Sequence, residues 1–427
     1  MKITILTYGT RGDVEPYLAL AVGLRRAGHS VKLVAPSRYA EWVRSYGLDV
    51  HVQTVSVDER AQGEITQHGR ANRVLHNREW TARLHAWLKQ CMDDYWAASA
   101  DADLILQGGF AYGGVDVALR RGVPIAFLFP HPFRPTREYM SYTTPLGLSV
   151  GERYNHLTHR WSLRQAWRTF GPPINQWRAE RFNLPPWPSY QDMMHAVPDA
   201  PTLYAYSPHV IPKSADWTET DHVTGYWFVE PDVGWQPPVE TVRFLEAGPP
   251  PIYIGFGSMR LIFPEWATKR MLEAVRQSGQ RAVISVGAGS ALIRLPAPAE
   301  IHFIDGMPHR WLFPRMAAIV HHGGAGTTSA VLNAGVPGII VPIDYDQFGW
   351  SRRVRQLGVG LGSRHVATTT AGRLARMIRR AVEDDGLNRR AAALGETIRA
   401  ERGIDSAIAI LESYAPRAAA KRRGETT

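Results

Sequence analysis

Residues 317–335, AAIVHHGGAGTTSAVLNAG, hold the densest set of groups able to bind an anion. Ala318 to Val320 read as the end of a buried strand. The segment after Thr328 reads as a helix stopped by Gly335 and Pro337. Between them stand His321, His322, Gly323, Gly324, Ala325, Gly326, Thr327 and Thr328. Glycines let backbone N–H groups come close to a ligand, and a helix N-terminus adds about half a positive charge. Thr327 and Thr328 can cap the helix or give hydroxyls to a phosphate. His322 can give an imidazole N–H to the same oxygens. The same pattern also describes a tight strand-to-helix turn with no ligand.

A second chemical turn lies near the start. Ile3 to Tyr8 read as a buried strand, followed by GTRGDVEP at 9–16. Gly9 and Gly12 permit a sharp turn. Pro16, Leu18, Ala21, Val22 and Leu24 then mark an amphipathic helix closing near Gly28, and Val31 to Ala35 a second strand. This βαβ opening predicts a Rossmann-like domain. The dinucleotide spacing G-x-G-x-x-G is absent, and no Asp or Glu ends the second strand. The turn offers Arg11 and Asp13 at the carboxyl end of a strand, where α/β folds put their ligands.

A chain of 427 residues is expected to form two domains or more. Its single cysteine, Cys91, excludes an internal disulfide framework and fits a reducing, cytoplasmic setting. MKITILTY opens on a strand with no signal-peptide pattern, and no apolar run approaches the ~20 residues of a membrane span. The net charge of +10 is carried mostly by arginine. It allows an acidic ligand or a peripheral contact with an anionic membrane. No motif supports nucleic-acid binding.

Between the two turns, Leu84, Trp87, Leu88, Cys91, Met92 and Tyr95 share one helical face and read as core. Leu104 to Leu106 and Ile125 to Phe129 read as buried strands. The loop PHPFRPTREYM after the latter carries His131 and Phe133, a candidate pocket wall. Residues 153–187 combine arginines with Trp161, Trp167, Trp177 and Trp187. That mixture suits a packed helical face or a surface for membrane, nucleic acid or a flat apolar ligand. Pro231 to Pro251 is rich in Pro and Gly and reads as a linker. The alternation then restarts, with strands expected at 252–256, 283–286, 301–304, 319–321 and 338–341 and a helix at 264–278.

The order GTRGDVEP (9–16), GFGSM (255–259), HHGGAGTT (321–328) and PIDYDQ (342–347) resembles the family 1 nucleotide-sugar glycosyltransferases. GTRGDVEPYLALA is similar to the sterol glucosyltransferases and antibiotic-aglycone glycosyltransferases. The resemblance implies an α/β GT-B fold, two Rossmann-like domains with parallel sheets facing across a cleft. Here these are an acceptor domain at 1–233, a linker at 234–250, a donor domain at 251–415 and a basic flexible tail at 416–427. It further implies transfer of a hexose, with inversion, from a UDP- or dTDP-sugar to a lipophilic hydroxylated acceptor such as a sterol or polyketide. The nucleotide sugar is a substrate, and no cofactor or metal is implied.

By the same resemblance, Ser258, His322, Gly324, Gly326 and Thr327 hold the diphosphate, while Asp346 and Gln347 bond the sugar hydroxyls. An alcohol acceptor needs a base, and Asp13 occupies that position, with helix capping as its structural alternative. Arg11, which can orient Asp13 or approach phosphate, joins Phe110, His131 and Phe133 as candidate acceptor contacts. His131 is an alternative base. Two departures stand out. GMPHR at 306–310 lacks the tryptophan that plant members place before a Pro-Gln pair, and Tyr345 stands where glycine is common. A nucleotide-sugar 2-epimerase and a catalytically silent sugar- or lipid-binding protein remain the alternative functions.

Overall fold

The structure, a computed structural model, describes residues 1–54, 78–109, 111–144, 149–230, 234–257, 264–287 and 290–423. Phe110 and Ser258 therefore lie outside the described residues. The chain divides into two compact units, and each has its own parallel sheet.

In the first unit β1 (Lys2–Leu6), β2 (Ser30–Ala35), β3 (Asp49–Val52), β4 (Leu104–Gly108), β5 (Ile125–Phe129), β6 (Thr202–Tyr204) and β7 (Asp221–Val223) form one sheet. Their order is β3-β2-β1-β4-β5-β6-β7, and every pairing is parallel. Ile5 pairs with Leu33 on one side and Leu106 on the other. Helices on both faces explain why these strands are continuously apolar rather than alternating. The first helix, Arg11–Arg26, buries Val14, Leu18, Ala21 and Leu24 against this sheet's core. The helix Arg78–Ala98 buries Leu84, Trp87, Leu88, Cys91, Met92 and Tyr95, as the periodicity predicts.

The second unit repeats the plan. Its strands are β8 (Ile252–Gly255), β9 (Ala282–Ser285), β10 (Ile301–Ile304), β11 (Ile319–His321), β12 (Gly338–Ile340) and β13 (Gly360–Gly362). Their order is β10-β9-β8-β11-β12-β13, again with every pairing parallel. In both sheets the strand order reverses beside the first strand, between β1 and β4 and between β8 and β11. Loops diverge at such a switch point, and the crevice they leave is where doubly wound sheets bind ligands.

Three expected boundaries move. The helix Gly403–Arg423 belongs to the first unit, not to a donor domain ending at 415 or a flexible tail beginning at 416. Its Ala407, Ile408, Leu411 and Ala415 are buried in the first unit's core, and Ile404 sits against Gly23. Arg417 to Arg423 masked this in the sequence, because charge at the end of a helix looks like a solvated tail. Tyr142–Thr144, expected in the first domain, groups with the second unit. There Tyr142 meets Trp350 edge-on at 5.2 Å, and its carbonyl accepts from Gly349 N at 3.2 Å. Finally, the linker span 234–250 contains a helix, Val239–Glu246. Phe244 and Leu245 pack on the second unit's apolar cluster, and Thr241 Oγ1 lies 2.9 Å from His302 Nε2.

Leu411 is fully buried. Leu411→Ala is expected to destabilise the first unit by about 2–5 kcal/mol, the cost of a large-to-small change at a packed site. Removing residues 402–427 should destabilise it further. Denaturant unfolding followed by circular dichroism reads both. A truncated chain that unfolds like the full one would show that the last helix is dispensable.

Candidate active site

In the first unit the site is built on the turn after β1. Gly9 has φ +109°, a conformation that needs glycine. A β-carbon there would stand 2.6 Å from Asp13 Oδ2, so the glycine also leaves room for that carboxylate. Thr10 is the N-cap of the first helix, and Asp13 is its third residue. Asp13 Oδ2 accepts from Thr10 N and from Thr10 Oγ1, each at 2.8 Å. Capping and chemistry are thus compatible: Oδ2 holds the turn, and Asp13 also lines a small cavity with Thr7, Tyr8, Tyr17, Gly108, Gly109, Ala111 and Pro130. The cavity lies at the β1–β4 switch point.

Burial raises the Asp13 carboxyl above the usual carboxylate range, opposed by the Thr10 hydrogen bonds and by the positive charge of Arg38. Raising the pKa makes the carboxylate a stronger base when ionised. Arg38 also donates to Gly9 O at 2.6 Å, so it braces the turn that holds Asp13. Sequence reasoning missed Arg38. It follows β2, whose end lies beside the first turn in any parallel βαβ unit, and that was the available signal. Tyr17 was missed as well. It lies one helical turn after Asp13, donates to Leu128 O at 3.0 Å and accepts from Gly109 N at 3.1 Å. Its hydroxyl therefore ties the ends of β4 and β5 together beside the cavity it lines.

The other first-unit candidates are placed differently. Arg11 turns away from Asp13: its Nε donates to Glu15 at 2.8 Å, and its guanidinium lies over Trp42. Arg38, not Arg11, is the guanidinium that acts on Asp13. Phe133 stacks on Phe129 at 4.4 Å, and His131 packs edge-on against both. Burial pushes His131 down to about 4, a weaker base than an ordinary imidazole. The aromatic segment is divided. Trp177 is buried and donates to Asp93, Trp187 is half-buried and donates to Asp116, and Trp161 is exposed.

In the second unit the glycine-rich turn after β11 has the expected form. Gly323 has φ +94°, and a β-carbon there would strike Ile340. The helix Ala325–Ala334 begins at N-cap Gly324 with no side chain capping it, so Thr327 and Thr328 are not caps. Its first-turn N–H groups have no intrahelical acceptors and suit an anion. The Thr328 Oγ1 is buried without a hydrogen-bond partner among the described residues.

His322 occupies a slot between two glycines. A β-carbon at Gly324 would lie 2.5 Å from its Nε2, and one at Gly257 3.0 Å from its Cε1. Its Nδ1 is buried with no partner among the described residues, and burial pushes the ring down to about 4. The ring is neutral at pH 7, with one N–H to give. His321 is structural: it is buried, and its Nδ1 accepts from Gly323 N at 3.2 Å.

Asp346 and Gln347 come together at the start of the helix Gln347–Gln356, both nearly buried. Each spends an oxygen on its own loop. Gln347 Oε1 accepts from Ile343 N at 2.7 Å and Asp344 N at 3.0 Å, and Asp346 Oδ2 accepts from Trp350 Nε1 at 2.9 Å. Tyr345 has φ +57°, which explains why glycine suits this position. In the GMPHR segment, His309 stacks on Phe313 at 4.2 Å.

Comparison with known proteins places these features. Residues 3–117 match the glycosyltransferase family 28 N-terminal domain, and residues 269–406 match the erythromycin biosynthesis protein CIII-like C-terminal domain. The sterol 3-beta-glucosyltransferase of Emericella nidulans is 33% identical over 420 residues, 96% of this chain and 29% of the relative. That of Cryptococcus neoformans is 34% identical over 431 residues, 96% of this chain and 27% of the relative. The chain thus spans under a third of the length of these curated relatives. The glycosyltransferase of kitacinnamycin superposes with a TM-score of 0.70 at 18% identity, covering 96% of this chain and 98% of that one. Streptomyces SsfS6 complexed with thymidine diphosphate gives 0.63 at 18%, covering 97% and 99%. With two parallel sheets, ligand-competent turns at both switch points and family matches in both halves, the chain belongs to the family 1 glycosyltransferases of the GT-B fold.

Proposed function

We propose that the protein transfers a hexose from a UDP- or dTDP-sugar to the hydroxyl of a lipophilic acceptor, a sterol or a polyketide-like aglycone, with inversion. The observation that carries this reading is His322, a neutral imidazole held between Gly257 and Gly324 beside an uncapped helix N-terminus. A departing nucleoside diphosphate gains negative charge as its bond to the sugar breaks. Fixed N–H donors stabilise that charge without reorganising. The donors are His322, the backbone at Gly324 and Gly326, and the Thr327 hydroxyl, with Ser258 as a further contact. Such a donor set makes a metal unnecessary for holding the diphosphate.

The first unit supplies acceptor activation. The Asp13 carboxylate takes the hydroxyl proton as the oxygen attacks the anomeric carbon, and the diphosphate leaves from the opposite face. One displacement of this kind inverts the centre. The apolar and aromatic surroundings of the cavity suit a lipophilic acceptor. The names of the sterol 3-beta-glucosyltransferase relatives and of the antibiotic glycosyltransferase structures support that class. Asp346 and Gln347 bond the sugar hydroxyls in this reading. The buried thiol of Cys91 suits a reducing, cytoplasmic setting.

Asp13→Asn is expected to lower kcat by roughly 10²–10⁴-fold, the usual worth of a general base, while leaving donor affinity unchanged. Calorimetric titration with UDP and dTDP, beside steady-state transfer assays, separates the two. Transfer at the parent rate would remove Asp13 from the mechanism. The raised Asp13 pKa fixes the sign of the pH profile. A base must be ionised, so kcat/KM should rise with pH through a midpoint above the ~3.9 of a free aspartate. An amide cannot titrate, so the Asn variant loses that limb.

Gly324→Ala should displace His322 and weaken nucleoside diphosphate binding by about 10- to 100-fold, the worth of one hydrogen bond to a charged group. The same titration reads it, with thermal melting as the control for folding. Unchanged affinity would show that His322 does not contact the diphosphate. Conversion of a nucleotide sugar to its epimer with no acceptor present would instead favour the 2-epimerase reading.

A further inference from the structure

We propose that the exposed face of the helix Glu152–Phe182 docks the protein onto an anionic lipid bilayer. Among the described residues seven large apolar side chains are exposed, and three of them fall between 150 and 161. They are Val150 at 73%, just ahead of the helix, Leu157 at 57% and Trp161 at 44%. At about 100° per residue, Leu157, Trp161, Arg153, Arg160, Arg164 and Arg168 share one stripe roughly 100° wide. All four of these arginines are exposed. The opposite face, through Asn155, Thr158 and His159, is buried in the fold.

Charge and shape select the occupant. Four guanidinium groups interleaved with aliphatic and indole side chains match the boundary between phosphate headgroups and acyl chains. Leu157 and Val150 have no π-face to stack on a base, which disfavours nucleic acid. No helix among the described residues is long and apolar enough to cross a membrane, so the contact is one that lies on the surface. The same helix leads to the acceptor cavity: Phe170 stacks on Tyr112 at 4.5 Å, and Ala111 next to it lines the cavity. The value of docking rests on the lipophilic-acceptor reading above, because such an acceptor partitions into the bilayer. The docking itself can be tested without that reading.

The test is co-sedimentation of the full chain with vesicles of phosphatidylcholine, with and without 30% (about a third) phosphatidylglycerol, at low and high salt. Binding is expected to need the anionic lipid and to weaken with salt. Each arginine near such a surface is worth roughly fivefold in partitioning, so Arg160→Glu/Arg164→Glu should cut binding at least about 25-fold. Leu157→Ser/Trp161→Ser should cut it as well. Arg373→Glu/Arg376→Glu, on exposed arginines of the helix Ala371–Glu383, should not exceed the loss expected from net charge alone. Transfer to a water-soluble acceptor should be unaffected by the Leu157/Trp161 pair, which separates docking from catalysis. The proposal fails if vesicles do not pellet the protein, or if the control pair loses as much as the stripe. It also fails if light scattering shows a dimer that Leu157→Ser/Trp161→Ser dissolves, or if gel shift shows tighter binding to nucleic acid than to anionic vesicles.

Discussion

The two groups proposed to act in this protein, Asp13 and His322, each depend on a missing β-carbon. Asp13 fits on the first turn because Gly9 leaves the space where its Oδ2 sits, 2.6 Å from where a methyl would be. His322 fits on the second because Gly257 and Gly324 flank its ring with bare backbone. A parallel strand meets its helix over a few residues, and at a switch point the neighbouring loops diverge. Glycine is the residue that lets backbone and a functional side chain share that short turn. The repeated order of the two sheets places the same opportunity once in each unit. One unit fills it with a carboxylate and the other with an imidazole.

Burial acts on these groups with opposite sign and useful result. Desolvation disfavours charge, so it raises the Asp13 carboxyl and lowers the His322 and His131 imidazoles. A carboxylate becomes a better base, and an imidazole stays a neutral donor. Polar contacts tune the outcome. The Thr10 hydrogen bonds and Arg38 pull Asp13 back toward the ionised form, the form the proposed general-base role requires. The Thr10 contact also begins the first helix, so a single carboxylate oxygen serves both folding and site geometry. The loop before the helix Gln347–Gln356 shows the same economy, with Gln347 and Asp346 folding the loop they occupy.

Much of this was legible in the sequence, because parallel strands buried on both faces are near-continuous apolar runs ending at glycine. β5, β10, β11 and the helix Pro264–Ser278 fall where the pattern puts them. Asp13, His322, Gly324, Asp346 and Gln347 stand out as candidates in the sequence because motif spacing fixes them relative to a strand end. Arg38 and Tyr17 do not, since both act on groups distant in sequence or through a bond to another strand. Arg11 was misjudged for the converse reason. Adjacency to Asp13 in sequence suggested contact, but on a helix it faces Glu15, four residues on.

The sequence by itself determined the two doubly wound sheets, the glycine turns after β1 and β11 and the residue types at them. These follow from local rules: apolar periodicity, glycine at positive φ and helix caps. Only the tertiary structure decided that the last helix returns to the first unit's core, that Tyr142 packs on Trp350, and that Arg38 rather than Arg11 acts on Asp13. It also put Trp177 of the arginine-rich segment in the core and Trp161 on the surface. Those outcomes turn on which surfaces meet when strands distant in sequence pair, and no local pattern encodes that.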